Sequence, residues 1–383
     1  MKIQSSFSLE HLIDLWHILH RHPELSMQEF QTTRRISEYF SSKGIPFHTF
    51  NELTGGYVFI DIGKPKTIGF RADIDALPLT ENTGVPFSSK NNGVMHACGH
   101  DMHTAIAAGI ATILWAKKEQ LNSNVVILFQ PAEENSPVGG ARLIIQSGFL
   151  EKLMISEMYA LHVWPSYPVG EIALRPGTMM ASSDRLTVDI IGKKSHAAEP
   201  NLGVDAISIA SKIVLGLVYR LRREVDPFDT ALISIGNFTC EGAHNIICDH
   251  VTLEGTIRAI SEETRKFFHR RIHEICTDIA YSWQGSAKAV IGNGYGTVQN
   301  NTALFSKFSK YAIKQLGVKK VHVDVLPSLI AEDFSFYGQQ IPSLYIHMGC
   351  GSKSPLHSPC FLPQEETLEQ AIMLLGGYLL TCK

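Results

Sequence analysis

The feature that most constrains the fold is an alternation of short apolar runs with longer segments of helical periodicity. Four runs in the first half are apolar enough to be buried strands, and they lie at residues 57–62, 67–70, 125–129 and 158–161. Helical segments alternate with them, at residues 104–118 and 140–147. This order predicts an α/β domain with a mostly parallel sheet and helices on both faces.

Two further helices are predicted outside the alternating region. Ser26 and Glu29 have the spacing of a capping box, which predicts that a helix begins there and ends at Gly44. Near the end of the chain, apolar residues with helical spacing predict a last amphipathic helix from about Gln364.

The pattern changes near residue 180. Strands and helices are now predicted in the order β-α-β-β-α-β, at residues 186–191, 205–222, 231–238, 251–260, 262–281 and 287–291. This is the order of a ferredoxin-like α+β unit, and its length of about 110 residues suits a domain inserted into a larger one. We therefore predict one domain from residues 1–178 and 293–383, and an inserted domain of residues 179–292.

Composition excludes several classes of protein. The chain has 383 residues with 34 Lys and Arg against 37 Asp and Glu, so it carries no polybasic surface for nucleic acid or membrane lipid. A hydrophobic content of 44% excludes a disordered chain. No apolar stretch reaches the roughly 20 residues of a membrane helix, and residues 1–16 lack the apolar run of a signal peptide. Seven irregularly spaced cysteines predict reduced thiols and a cytoplasmic setting.

Among the 17 histidines, those of residues 95–103 form the densest cluster of polar side chains. Cys98 and His100 flank a glycine, which lets both side chains reach one ion, and a thiolate with an imidazole suits zinc or a similar metal. Asp101 is either a helix N-cap or a partner that orients a histidine. The alternative is a helix start with incidental polar residues.

Polar residues also follow other predicted strands. Glu133 and Glu134 come directly after residues 125–129, where one carboxylate could bind metal and the other act as general base. A solvated loop is the alternative. His162 ends another strand and His357 precedes the last helix, although a single such histidine is more often structural.

Asp73 and Asp75 follow the predicted strand of residues 67–70. Asp73 or Asp75 could be catalytic, and the alternative is that it only forms a turn. Taken together, the clusters place potential ligands at the ends of strands and helices of one sheet. Five ligands suit two metal ions if one ligand bridges them, as is typical of aminopeptidases and phosphatases.

The chain resembles a known family along nearly its whole length. The matching segments run from residue 20 to 359 and are HRHPELSMQEF, RADIDALPL, MHACGHDMHT, FQPAEE, LHVWP, SHAAEPNLGVDAI, HNII, LEGTIRA, AEDFSFY and LHSP. As a set they resemble the amidohydrolase branch of the aminoacylase/carboxypeptidase dinuclear metallopeptidase family. This branch includes hippurate hydrolases, auxin-conjugate hydrolases, N-acyl-amino-acid amidohydrolases and N-acetyl-diaminopimelate deacetylases.

The resemblance implies a role for each matching residue. The five implied metal ligands, of which the first bridges, are Cys98, His100, Glu134, His162 and His357. Glu133 matches the general base, and Asp73 matches the residue that orients a ligand. Arg71 replaces the histidine of the wider family's His-x-Asp motif, as in other members of this branch. Substrate-binding residues of the inserted domain are matched by His196, Asn245 and Arg258.

The implied activity is hydrolysis of N-acyl, foremost N-acetyl, L-amino acids to a carboxylate and a free amino acid. Glu133 would activate a metal-bound water for attack on the amide. The implied cofactors are two divalent ions per chain, zinc or manganese, with cobalt or nickel as alternatives. The inserted domain would be a lid and would form a homodimer or a dimer of dimers. The alternatives are an N-acetyl-diaminopimelate deacetylase of lysine biosynthesis, a metallo-dipeptidase, or a metal-stabilised binding protein without activity.

Overall fold

The structure is a computed structural model that describes residues 8–382. The described residues form two compact units. The first unit consists of the residues up to Met179, Gln299–Leu326 and the residues from Asp333 onward. The second unit consists of Met180–Val298 and Pro327–Glu332. Residues 1–7, on which the expectation about a signal peptide partly rests, lie outside the described residues.

The helices are numbered in chain order. They are α1 (Leu9–Arg21), α2 (Phe30–Ser41), α3 (His100–Ala116), α4 (Gly140–Gln146), α5 (Phe149–Lys152), α6 (Ala206–Leu215), α7 (Glu262–Ser282), α8 (Thr302–Leu316), α9 (Ser335–Gly338) and α10 (Glu366–Thr381). Within residues 8–382, no helix is both long enough and apolar enough to cross a membrane.

The strands are numbered in the same way. They are β1 (His48–Thr49), β2 (Gly56–Ile60), β3 (Thr67–Asp73), β4 (Asn124–Gln130), β5 (Ile155–Trp164), β6 (Ile172–Leu174), β7 (Gly177–Met180), β8 (Ser182–Ile191), β9 (Ala231–Cys240), β10 (His250–Ala259), β11 (Ser286–Ile291), β12 (Val298–Asn300), β13 (Val321–Val323) and β14 (Ser343–Gly349).

The first unit is built on an eight-stranded sheet in the order β1-β2-β4-β3-β5-β14-β6-β13. Its centre is parallel, because β3 pairs in parallel with β4 and β5, and β14 with β5. Every residue of β3, β4 and β14 is buried, as expected of strands covered on both faces. Helix α3 packs against α1 and α10, and a Cβ at Gly109 would lie only 2.5 Å from Ile372. The predicted α/β class with a mostly parallel sheet is confirmed.

The second unit is a four-stranded sheet in the order β11-β8-β10-β9, in which all pairs are antiparallel. Buried residues of β8 and β10 such as Val188 and Leu253 share a core with Ile209 of α6 and Phe268 of α7. The predicted β-α-β-β-α-β order is confirmed. Helix α6 is shorter than predicted, since the chain continues from Gly216 as a π turn and a 3₁₀ turn. The assignment of catalytic and lid roles to the two sequence ranges stays a prediction.

The predicted capping box is wrong. Helix α2 begins at Phe30, and its N-cap Glu29 makes no side-chain capping bond. Instead, the Ser26 hydroxyl donates to Asp75 over 2.6 Å, and the Glu29 carboxylate accepts hydrogen bonds from Thr54 and the Ala132 N–H. Both side chains serve long-range contacts, which the local spacing does not reveal.

Candidate metal centre

All five predicted ligands lie in the first unit, at the carboxyl ends of its strands or the start of α3. Glu134 follows β4, His162 is near the end of β5, and His357 lies in the loop after β14. His100 is the first residue of α3, which begins four residues earlier than predicted, and Cys98 directly precedes its N-cap Gly99. Carboxyl ends of parallel strands meet at one edge of a sheet, so distant segments of the sequence converge there.

The ligand atoms form two groups of three that share the thiol of Cys98. One group joins Cys98 to His100 and His162, and the other joins it to Glu134 and His357. Within each group all ligand atoms lie within 4.8 Å of one another. A thiolate common to both groups has the position that a bridging ligand between two ions requires.

The imidazole of His162 is oriented for a ligand's role. Its Nδ1 donates to the carbonyl of Val163 over 2.7 Å, so Nε2 carries the lone pair. This Nε2 lies 3.3 Å from the sulfur of Cys98. Burial, together with the neighbouring imidazoles of His103 and His100, lowers the pKa of His162, so the ring stays neutral near pH 7. A thiol and a lone pair at this distance suit a soft or borderline divalent ion.

His100 provides the clearest test of whether a cation fits. Its Nδ1 is 3.0 Å from the carbonyl oxygen of Asp75, while its buried Nε2 has no hydrogen-bond partner among residues 8–382. Burial lowers the pKa of His100, but the charges of Asp73, Asp75 and Glu134 outweigh this and raise it to about 10. The acidic surroundings thus favour positive charge at this nitrogen, and a metal ion would satisfy both the lone pair and the carboxylates.

A fully buried arginine supports one side of the site. The guanidinium of Arg71 donates to Asp73 over 2.5 Å, to Asp333 over 2.7 Å and to Gln130 over 3.0 Å. Asp333 also accepts from the side chain of Gln130 over 2.8 Å and from the Ala141 N–H over 2.9 Å. Arg71 has no lone pair for a metal, so it acts as a fixed cation that holds carboxylates in place.

Asp73 stays ionised beneath the ligands. Burial raises the pKa of Asp73, but the charges of His100, Arg71 and His103 lower it well below its usual range. Its Oδ1 is 2.5 Å from Nδ1 of His103, and Nε2 of His103 accepts from the N–H of Val163 over 2.9 Å. Since Nε2 accepts, the proton of His103 must be on Nδ1. His103 is therefore no ligand, and it connects Asp73 to the backbone beside His162.

Asp75 and Asp101 have positions that sequence reasoning left open. Asp75 is buried, and its Oδ2 accepts from the Glu134 N–H over 2.9 Å, so it holds the loop after β4 near His100. Asp101 is not the N-cap of α3, because Gly99 occupies that position. Its Oδ2 accepts from the indole of Trp16 and lies 2.6 Å from Nδ1 of His20. The histidine that Asp101 orients is thus His20 rather than a predicted ligand.

The two remaining residues of the first unit differ in exposure. Glu133 is buried, and one of its oxygens lies within 4.8 Å of ligand atoms of His100 and Glu134. His357 has a side chain that is 49% exposed, and its Nε2 is 3.3 Å from Glu134. Its backbone is left-handed, with φ of 61°, and its N–H donates to the carbonyl of Ala97 over 2.8 Å.

The predicted substrate-binding residues lie in the second unit. His196 and Asn245 come from loops that are joined by backbone hydrogen bonds, because the Ala197 N–H donates to the Asn245 carbonyl over 3.0 Å. Arg258 is on β10, and its guanidinium donates to the carbonyl of Leu329 over 2.8 Å. Sequence reasoning missed the contributions of Gln130 and Asp333, although both lie inside matched motifs.

Comparison with known proteins agrees with this geometry. A model of peptidase family M20/M25/M40 matches residues 69–381. The chain belongs to this family. Its M20 relatives include two curated proteins named N-acetyldiaminopimelate deacetylase. The one from Geobacillus thermodenitrificans is 35% identical and the one from Anoxybacillus flavithermus 37% identical, each over 364 residues that cover 94% of both chains.

A solved M20 structure has the same fold. The Bacillus subtilis YXEP protein, described as a dinuclear metal-binding peptidase, is 32% identical, and the alignment covers 97% of both chains with a TM-score of 0.86. Together with the two ligand groups that share Cys98, this supports two divalent ions in the present M20 protein. The protein is an M20 metal-dependent hydrolase that acts on amides.

Proposed function

We propose that the protein removes the acetyl group of N-acetyldiaminopimelate, releasing acetate and a free amino acid. Two relatives with this name, aligned over 94% of both chains, support this substrate over the wider class of N-acyl L-amino acids. The observation that carries amide hydrolysis is the pair of ligand groups joined by Cys98, with Glu133 as an additional carboxylate beside them.

In this proposal one divalent ion would be held by Cys98, His100 and His162, and a second by Cys98, Glu134 and His357. Zinc or manganese ions fit these ligands, and cobalt or nickel ions could occupy the same site. Divalent cations between these donors supply charge that polarises the acyl carbonyl and lowers the pKa of water. Arg71, which cannot serve as a ligand, keeps Asp73 in place beneath His100.

Side chains of the protein would transfer the proton and bind the substrate. Glu133 takes a proton from the attacking water and gives it to the leaving amine. A guanidinium matches the geometry of a carboxylate, so Arg258, with Asn245, would bind the substrate carboxylate. His196 would donate a hydrogen bond to the developing oxyanion. We further propose that the second unit is a lid through which chains form a cytoplasmic homodimer or a dimer of dimers.

The test is a hydrolysis assay with the protein loaded with Zn²⁺, Mn²⁺, Co²⁺ or Ni²⁺. Its substrates are N-acetyldiaminopimelate, other N-acetyl and N-benzoyl amino acids, and dipeptides. We expect the highest kcat/KM with N-acetyldiaminopimelate and loss of activity with a chelator. A preference for another acyl amino acid would contradict the substrate, and a preference for dipeptides would support a metallo-dipeptidase. Metal binding without any hydrolysis would support a binding protein.

Glu133→Gln tests the proposed base separately. The amide keeps the size of the side chain but cannot accept a proton, so we expect turnover to fall by about a thousandfold or more. The metal content per chain, measured by elemental analysis, is expected to stay at the wild-type value. A variant that turns over at nearly the wild-type rate would show that another group accepts the proton.

A further inference from the structure

A buried histidine that no motif singles out lies next to the candidate metal centre. His347 is on β14, only 4% exposed, and directly opposite His162 of β5 in the parallel register. Residues opposite each other on neighbouring strands point to the same face of a sheet, and such strands are about 4.8 Å apart. The imidazole of His347 therefore lies about one strand spacing from a proposed metal ligand.

The ring of His347 is held by aromatic contacts. It stacks on Trp164 with a centroid distance of 3.7 Å and an interplanar angle of 4°. Tyr345, two residues earlier on the same face, contacts it edge-on at 5.9 Å. Trp164 in turn lies edge-on to His162 at 5.8 Å, so the aromatic wall formed by Trp164, Tyr345 and His347 continues from the candidate metal centre.

Nε2 of His347 is buried and has no hydrogen-bond partner among residues 8–382. A buried polar nitrogen without a partner is unfavourable, so such groups usually bind a ligand or an ordered water. His347 belongs to none of the groups of potential metal ligands found among residues 8–382. Burial lowers the pKa of His347 to about 3, and the neutral ring therefore offers one N–H and one lone pair at pH 7.

We propose that His347 is a substrate-binding residue whose Nε2 forms a hydrogen bond with the bound acylamino acid beside its scissile amide. The inference rests on the amidohydrolase function proposed above. Because His347 lies about one strand spacing from His162, a substrate group that it binds would lie beside the candidate metal centre, where the scissile amide would be held. The contact is therefore with the amide or the acyl group, and it is independent of the amino acid's side chain.

The test compares His347→Phe and His347→Gln with the wild-type enzyme on N-acetyl amino acids of different side chains. Phenylalanine keeps the stack on Trp164 but removes the hydrogen bond, so we expect KM to rise about tenfold. The same ratio is expected for every substrate, with kcat within twofold and the metal content unchanged. Glutamine restores a hydrogen-bonding group and is expected to keep KM within about threefold of wild type.

His322→Phe is the matched control. His322 lies on β13, and its ring stacks on that of Tyr167 with a centroid distance of 5.0 Å. Unlike Nε2 of His347, its Nε2 is paired with a side chain, the carboxylate of Glu171. We expect KM to be unchanged in this variant. If His347→Phe does not fold, His347→Met repeats the test, since the flexible thioether fills the space without a strong hydrogen bond.

The outcomes separate this inference from the proposed function. A wild-type enzyme that hydrolyses acylamino acids, with an unchanged KM in His347→Phe, would overturn the role of His347 alone. Loss of metal in the Phe variant would also overturn it, because His347 would then act on the metal centre. If the wild-type enzyme hydrolyses no acylamino acid, the proposed function fails and this inference fails with it.

Discussion

At the scale of single residues, the hydrogen-bond partners of the histidines decide what each ring can do. His162 donates from Nδ1 and offers Nε2, whereas His103 has both nitrogens engaged. Two histidines whose rings are 4.6 Å apart therefore have different roles, one as a candidate ligand and one as a connection to Asp73. The sequence shows both residues but not the partners that distinguish them.

His103→Phe removes both hydrogen bonds of this connection. The buried N–H of Val163 then has lost its partner, so β5 beside His162 is held less firmly. We expect metal affinity to fall tenfold to a hundredfold, which is the range typical of residues that hydrogen-bond to metal ligands. Competition with a chromophoric chelator measures this affinity. His96→Phe is the control, because neither ring nitrogen of the buried His96 has a partner in the described residues. Equal losses in both variants would contradict the role of His103.

At the scale of elements, one buried carboxylate joins three segments of the second unit. Asp184 of β8 accepts two hydrogen bonds from Arg265 of α7, at 2.8 and 2.7 Å, and one from the Gly294 N–H at 2.9 Å. His269 approaches the same carboxylate to 2.8 Å. A Cβ at Gly294 would lie 1.8 Å from the carbonyl of Ser183, so only glycine allows this close approach. Gly294 thus serves the close packing of this segment against β8.

Asp184→Asn tests this junction. Removing one partner of a buried ion pair costs about 3 kcal/mol or more of the free energy of unfolding. Burial raises the pKa of Asp184, but Arg265 and His269 outweigh this and lower it to about 2 from 3.8. The carboxylate's contribution is therefore complete above about pH 3.8 and is lost as the pH falls through about 2. Urea unfolding between pH 7 and 2 measures the free energy of unfolding of both proteins, and the difference between variant and wild type should shrink below pH 4. A difference that stays constant with pH would contradict the ion pair.

At the scale of the whole molecule, each unit has its own hydrophobic core. All five candidate ligands lie in the first unit, so bound metal should stabilise that unit and leave the second unchanged. Calorimetry is expected to show two unfolding transitions. Metal binding is expected to raise the midpoint temperature of one transition, and Asp184→Asn is expected to lower the midpoint temperature of the other. A single transition that responds to both changes would show that the units unfold together.

The sequence predicted the parts of the molecule that depend on local pattern. Alternating strands and helices, the β-α-β-β-α-β order and the segments that carry the five candidate ligands could all be read from spacing and motifs. The partners of Arg71 could not, because Asp333 is far from it in the sequence and only the sheet brings the two together. The predicted capping box was wrong for the same reason. Ser26 donates to Asp75 and Glu29 accepts from the Ala132 N–H, and both partners are distant in the sequence.

The unequal exposure of the ligands has a consequence for the kinetics of metal exchange. Cys98, His100 and His162 are 6%, 1% and 4% exposed, whereas half of the His357 side chain faces solvent. An ion held through His357 can be reached by a competing chelator, while an ion among the three buried ligands can leave only after the surrounding structure opens. Release is therefore expected in two phases, fast and slow, each accounting for one ion per chain. Stopped-flow mixing with a chelator would measure both rates, and one phase for both ions would contradict the difference in access.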